Sequence, residues 1–232
     1  METRIRLILP LLLVLTLQAT GAFAATISYS SSYGVPVGVQ PDWTTTLYLP
    51  KFNPGLGTLT GVTVSLTGDI IGSIGVENKQ KTSSKTINAA LAASMTVTLP
   101  GAATLTSNPT SNHSWLLPKF DLIDDKAGTS GITISGVTAT DQVYYYVLPA
   151  DLALFAGFGT QSYYVAATDV SYATGGGNTS SSFSNVAGAL LQVKYDYTPP
   201  PVPEPATMLL FGGGAGALAL MRRRKKSAAA NL

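Results

Sequence analysis

The chain has 232 residues, no cysteine, one histidine and a formal net charge of +2. Without cysteine there are no thiol nucleophiles, disulfides or cysteine-based zinc sites. The positive balance is an end effect: residues 25–201 hold seven lysines, no arginine and ten acidic residues, a net charge of −3, and such a body lacks the forks and field that phosphate binding uses, which excludes nucleic acid as the expected partner.

In chain order, Arg4 and Arg6 precede an apolar run over residues 7–17 and then Ala22-Phe23-Ala24. A cationic start, an apolar run of eleven residues and a small-x-small site predict a secretory signal peptide over 1–24, read by the Sec machinery and cut after Ala24. The run is too short to span a bilayer, which takes roughly 20 residues. The segment 25–198 is long enough for one domain with its own core.

That body alternates with period two. Val62, Val64 and Leu66 interleave with Thr63 and Ser65; Met95, Val97 and Leu99 with Thr96 and Thr98; Leu191, Val193, Tyr195 and Tyr197 with Gln192, Lys194 and Asp196. Each predicts a strand with one buried face. Residues 26–31, 44–49, 132–135, 142–148 and 163–167 are further strands by their Thr, Val, Ile and Tyr content. About eight strands without amphipathic helices between them predict an all-β body, an antiparallel β-sandwich or jelly-roll. The alanine-rich stretch 87–93 reads as either a helical turn or part of a strand, 151–155 as a short helix capped by Asp151, and 174–184, with three glycines in a row, as a flexible loop. Leu49-Pro50-Lys51-Phe52-Asn53 recurs as Leu117-Pro118-Lys119-Phe120-Asp121, but the flanking residues do not match, so chance or a similar strand-exit turn is expected over a duplicated domain.

Chemistry is sparse. His113 has no G-x-S-x-G elbow to serve and no second histidine or cysteine with which to share a metal, so it reads as a loop histidine beside Trp115. Asp121, Asp124 and Asp125 offer hard oxygen ligands for calcium, but the sixth-position glycine and closing glutamate of an EF-hand are missing, and a solvated turn is expected. Trp43, Trp115 and the tyrosines, above all Tyr144-Tyr145-Tyr146 and Tyr163-Tyr164, are candidate platforms for stacking on sugar rings, with core packing as the alternative. No catalytic residue, metal site or cofactor is expected, and the chain reads as a non-enzyme.

At the C-terminus, residues 199–205 carry five prolines in seven positions, a stiff extended linker that ends in Pro203-Glu204-Pro205. Residues 206–221 are uncharged, and as a helix they would measure roughly 24 Å, which with snorkelling cations at one end serves as a single transmembrane helix. Arg222, Arg223, Arg224, Lys225 and Lys226 open a basic tail over 222–232 that the positive-inside rule keeps in the cytoplasm.

Pro203-Glu204-Pro205, the apolar stretch and the Arg cluster together resemble the PEP-CTERM sorting signal of Gram-negative bacteria that make exopolysaccharide. That resemblance implies an exosortase as partner, removal of the tail, and a product released or attached outside the cell. The body resembles the choice-of-anchor E domain through Leu49-Pro50-Lys51-Phe52-Asn53-Pro54 with residues 57–62, Glu77-Asn78, Asp151-Leu152 with residues 155–160, and residues 193–197; this implies an extracellular setting and no activity. The expected protein is an extracytoplasmic, membrane-anchored precursor that becomes a structural or adhesive component of the cell surface or exopolysaccharide matrix. The rival expectation is an extracellular carbohydrate-binding module or carbohydrate-active enzyme.

Overall fold

A computed structural model describes residues 24–35, 38–175 and 177–200. The expected signal peptide up to residue 23, and the linker from 201, transmembrane helix and basic tail, lie outside the described residues. Among those described, no helix is long and apolar enough to cross a membrane.

The alternation in sequence becomes ten strands: β1 (Ala25–Tyr33), β2 (Trp43–Pro50), β3 (Thr58–Asn78), β4 (Lys85–Thr98), β5 (Thr104–Ser107), β6 (Thr110–Leu117), β7 (Gly131–Tyr146), β8 (Thr160–Asp169), β9 (Tyr172–Thr174) and β10 (Thr179–Thr198). Every ladder is antiparallel. One sheet has the order β1-β10-β3-β7; the other has β2-β8-β4-β5, with β6 and β9 paired to the first half of β4.

Two of these strands are continuations of others. β5 and β6 run along one side of β4 in unbroken register, Met95 opposite Ser107 and Ala92 opposite Thr110, with Pro109 at the interruption. Proline has no N–H for a ladder, yet its carbonyl still accepts from Ala93 N–H at 3.2 Å. β8 and β9 follow the other side of β4, interrupted at Val170-Ser171, where Ser171 Oγ accepts from Ala92 N–H at 3.1 Å and donates to Ala92 O at 3.2 Å. With each interrupted pair taken as one strand, the two four-stranded sheets have the crossed wiring of a jelly-roll.

The core lies between the sheets. From one side come Val62, Val64, Leu66, Ile70, Ile74 and Val76 of β3 with Ala187, Ala189, Leu191, Val193 and Tyr195 of β10; from the other come Leu47, Leu49, Ile87, Leu91, Met95, Val97, Tyr163 and Val165. Removal of this apolar surface from water is the main force holding the two sheets together. Strands β3 and β10 pair over almost their whole 21 and 20 residues.

Several expectations are corrected. Residues 132–135 and 142–148 are not two strands: β7 runs through, with Gly136 (φ 68°) as the extra residue of a bulge opposite Gly72 and Ser73. Of the two readings left open for residues 87–93 the strand holds, because pairing to β6 on one side and β9 on the other overrides alanine's helix preference. The short helix is a 3-10 segment, Pro149–Phe155, entered from Leu148 without a side-chain cap, and Asp151 lies within its first turn instead of capping it; Pro149 starts it by fixing φ where no N–H is needed. The loop expected over 174–184 ends at Asn178, since Phe183 and its neighbours belong to β10. The repeated Leu-Pro-Lys-Phe stretch does form matching strand exits: Phe52 N–H donates to Phe155 O at 2.9 Å, and Phe120 N–H to Gln80 O at 2.8 Å.

Candidate functional site at the end that carries both chain termini

β1 starts at Ala25, paired opposite Tyr197, and β10 ends at Thr198, paired opposite Thr58. The expected signal-cleavage point and the start of the proline linker therefore lie on neighbouring strands at one end of the sandwich. Ala24 is exposed just before β1, and a cut after it leaves the whole β1 ladder intact. The chain leaves β10 against the Pro54–Leu56 turn, where Gly57 (φ 139°) is obligatory: a Cβ there would stand 2.1 Å from Thr198 O.

The same end is closed by aromatic packing. Phe52, fully buried, meets the rings of Tyr195 and Tyr197 at 5.8 and 5.2 Å, and Tyr195 Oη donates to Pro50 O at 2.9 Å. Burial first, then the neighbouring Tyr29, pushes the Tyr195 phenol up to about 12, so it remains a neutral donor.

Outside this plug several large apolar side chains are open to solvent, beside exposed Asn53, Thr58 and Thr160. Phe158 is 84% exposed, and Leu148, Leu154 and Leu56 are also open to solvent, with Tyr146 and Tyr48 at the rim. Phe158 is held there by its backbone. Gly157 N–H donates to Phe52 O at 2.9 Å and Lys51 N–H to Gly159 O at 3.0 Å, while Gly157 (φ 138°) and Gly159 (φ 85°) take conformations that turn the segment back on itself. Residues 49–54, 57–62, 151–152, 155–160 and 193–197 lie at this end; Glu77-Asn78 lies at the other end of β3.

The sequence-predicted residues fall as follows. Pro203, Glu204, Pro205, the cluster Arg222, Arg223, Arg224, Lys225 and Lys226, and Ala22 lie outside the described residues. Trp43 is 8% exposed and packs edge-on against Tyr33 at 4.8 Å, which leaves no open ring face for a sugar. Trp115 is half-buried against the core, with His113 stacked on it at 5.4 Å and 4°. His113 is on β6 and not in a loop, and its Nε2 lies 3.1 Å from Ser111 Oγ.

The three aspartates do not converge. Asp121 accepts from Ile123 N–H at 3.0 Å, Asp125 from Ala127 N–H at 2.9 Å, and Asp124 pairs with Lys79 at 3.0 Å and Lys126 at 3.2 Å. Among the described residues no group of three or more His, Asp or Glu could hold a metal ion. Sequence reading named Glu77-Asn78 only within the family resemblance and gave it no role in this loop: fully buried Glu77 accepts from Lys126 N–H at 2.8 Å and from Ser130 Oγ. Its neighbour Asn78 donates to Ser83 O, Leu117 O and Pro118 O. Two adjacent polar residues at the end of an alternating strand, where one of the pair must face inward, were the available signal.

The open aromatic surface lies elsewhere than the tryptophans. On the outer face of the β2-β8-β4-β5 sheet, Tyr48 is opposite Ser162 and Thr46 opposite Tyr164, which sets Tyr48 and Tyr164 on a diagonal, both more than half exposed. Thr44, Thr46, Thr96, Thr98, Thr104 and Thr106 share that face by register.

Residues 201–225 match the family described as the PEP-CTERM protein-sorting motif. The class that fold and motif define is an all-β body followed directly by a segment that matches a protein-sorting motif. No curated protein matches the chain. Among solved structures it is similar to that of infectious bursal disease virus Gx strain, with 12% identity over 88% of this chain and 48% of the other, at a TM-score of 0.16. It is also similar to the VP2 subviral particle of the same virus, with 11% identity over 88% and 49%, at a TM-score of 0.19. The chain spans about half the length of those proteins, and at such scores neither likeness bears on its fold or function.

Proposed function

We propose that the chain is an exported precursor, retained in the membrane by residues 206–226 until an exosortase cuts near Pro203-Glu204-Pro205. Its jelly-roll body then serves a structural or adhesive role at the cell surface or in the exopolysaccharide matrix. The observation that carries this reading is the sorting-motif match over 201–225, three residues beyond the last ladder residue, Thr198. The folded body thus ends where the processing signal begins. The resemblance to the choice-of-anchor E domain supports the extracellular setting and leaves the biochemical role open to experiment. Glu204→Ala, or deletion of residues 222–226, is expected to leave the precursor at full mass in the membrane fraction. Normal maturation and release of both variants would refute the reading.

A second reading, a carbohydrate-binding module, is favoured by the exposed Tyr48 and Tyr164 rings among threonine hydroxyls, since flat aromatics beside hydrogen-bonding groups suit sugar rings. It predicts that Tyr48→Ala and Tyr164→Ala each weaken retention on the producing cell's polysaccharide by at least about tenfold, on the scale of a lost stacking contact. Unchanged retention of both would dismiss it.

A further inference from the structure

The apolar end of the sandwich is the end at which β10 stops, shortly before the sorting motif in sequence. β10 leaves it at Thr198, and only residues 199–205 separate that point from the uncharged stretch at 206. Seven residues of proline-rich chain span at most roughly 20 Å. While the tail is in the bilayer, this end therefore cannot move farther from the lipid headgroups than about that reach, at an effective concentration on the order of millimolar.

We infer that this end is a lipid-docking surface: before processing, Phe158, Leu148, Leu154 and Leu56 enter the headgroup region of the membrane that holds the tail, with Tyr146 and Tyr48 at its rim. The inference rests on the membrane-retention reading above. Three features select lipid over water as the surroundings of this end. Phe158 is the most exposed large apolar side chain among the described residues, and clustered apolar side chains left open on a soluble body mark contact surfaces. The loop that presents Phe158 is fixed on both sides by backbone hydrogen bonds, Gly157 to Phe52 and Lys51 to Gly159, so the ring has no route into the core. Aromatic and leucine side chains at a rim of tyrosines are also the composition that settles at membrane interfaces. The charges nearby do not oppose this: Asp196 accepts from Thr26 Oγ1 at 2.7 Å and pairs with Lys194 at 3.2 Å, while Lys51 and Asp151, one of each sign, are half-buried.

The test uses the full chain in vesicles of phosphatidylethanolamine and phosphatidylglycerol, with and without brominated acyl chains, which quench tryptophan only at short range. The substitution Phe158→Trp is made at an open position, and Trp43 and Trp115 supply the background from the parent chain. The expected result is that brominated lipid lowers the added fluorescence roughly twofold while the parent signal is unchanged, as for an aromatic ring at the interface. In the unsubstituted chain, amide exchange over residues 147–159 should be slower on vesicles than in detergent. A chain that floats with the vesicles but has equal fluorescence in both lipids, and equal exchange, overturns lipid docking alone. A chain that does not float overturns the retention reading and docking together. Protection that appears only when exosortase is added assigns the surface to a protein partner and overturns the lipid assignment.

Discussion

Asp124 and Glu77 are two ways of satisfying a carboxylate in one loop. Glu77 is fully buried and takes its hydrogen bonds from Lys126 N–H and Ser130 Oγ; without them its burial would be prohibitive. Asp124 sits at the surface, and hydrogen bonding to Lys79 first, then to Lys126, holds its carboxyl down to about 2 against an ordinary 3.8. A depressed carboxyl contributes stability that is complete above the ordinary value and is lost as pH falls through the folded one. The expected outcome is that the parent loses thermal stability between about pH 4 and pH 2 more steeply than Asp124→Asn, measured as Tm against pH at low salt. Parallel curves would mean that the ion pairs are fully screened. The aspartate-rich spacing was visible in sequence, but the lysine that matters most to Asp124 is 45 residues away, and no local pattern announces it.

For the elements, strand existence was easier to read than strand continuity. The alternation in residues 62–66, 95–99 and 191–197 marks buried faces that the structure confirms in Val62, Val64, Leu66, Met95, Val97, Leu99, Leu191, Val193 and Tyr195. The pattern lost its period at Gly136, because one extra residue in a bulge shifts every following side chain to the other face. β5, β6 and β9 were missed for a related reason: they are short or polar and hold their place through β4, which pairs on both sides. The tightest point between long elements is Gly72, where a Cβ would approach Ser184 O of β10 to 1.9 Å. Gly72→Ala must therefore push apart two strands that pair over their whole length. A loss of about 1–3 kcal/mol is expected in urea unfolding; a midpoint equal to the parent's would mean that the β3–β10 crossing yields without cost.

In the whole molecule, the jelly-roll wiring brings residue 25 and residue 197 side by side. The start of β1 and the end of β10 thereby lie at a single end of the body, although nearly the whole body separates them in sequence. The same wiring gathers 49–62, 151–160 and 193–197 around Phe52 and leaves the Phe158 loop projecting beside the point where the chain exits.

The order of segments was determined by the sequence alone. A cationic start with an apolar run, an alternating body, a proline linker with one glutamate, an uncharged stretch and a basic cluster are each local properties of charge and hydropathy, and local properties can be read without a fold. The residues that share a surface were decided only by tertiary structure. Trp43 went into the core, Phe158 stayed outside, and Glu77 became the anchor of a distant loop, because burial depends on which strands become neighbours, and in a jelly-roll most neighbours are remote in sequence.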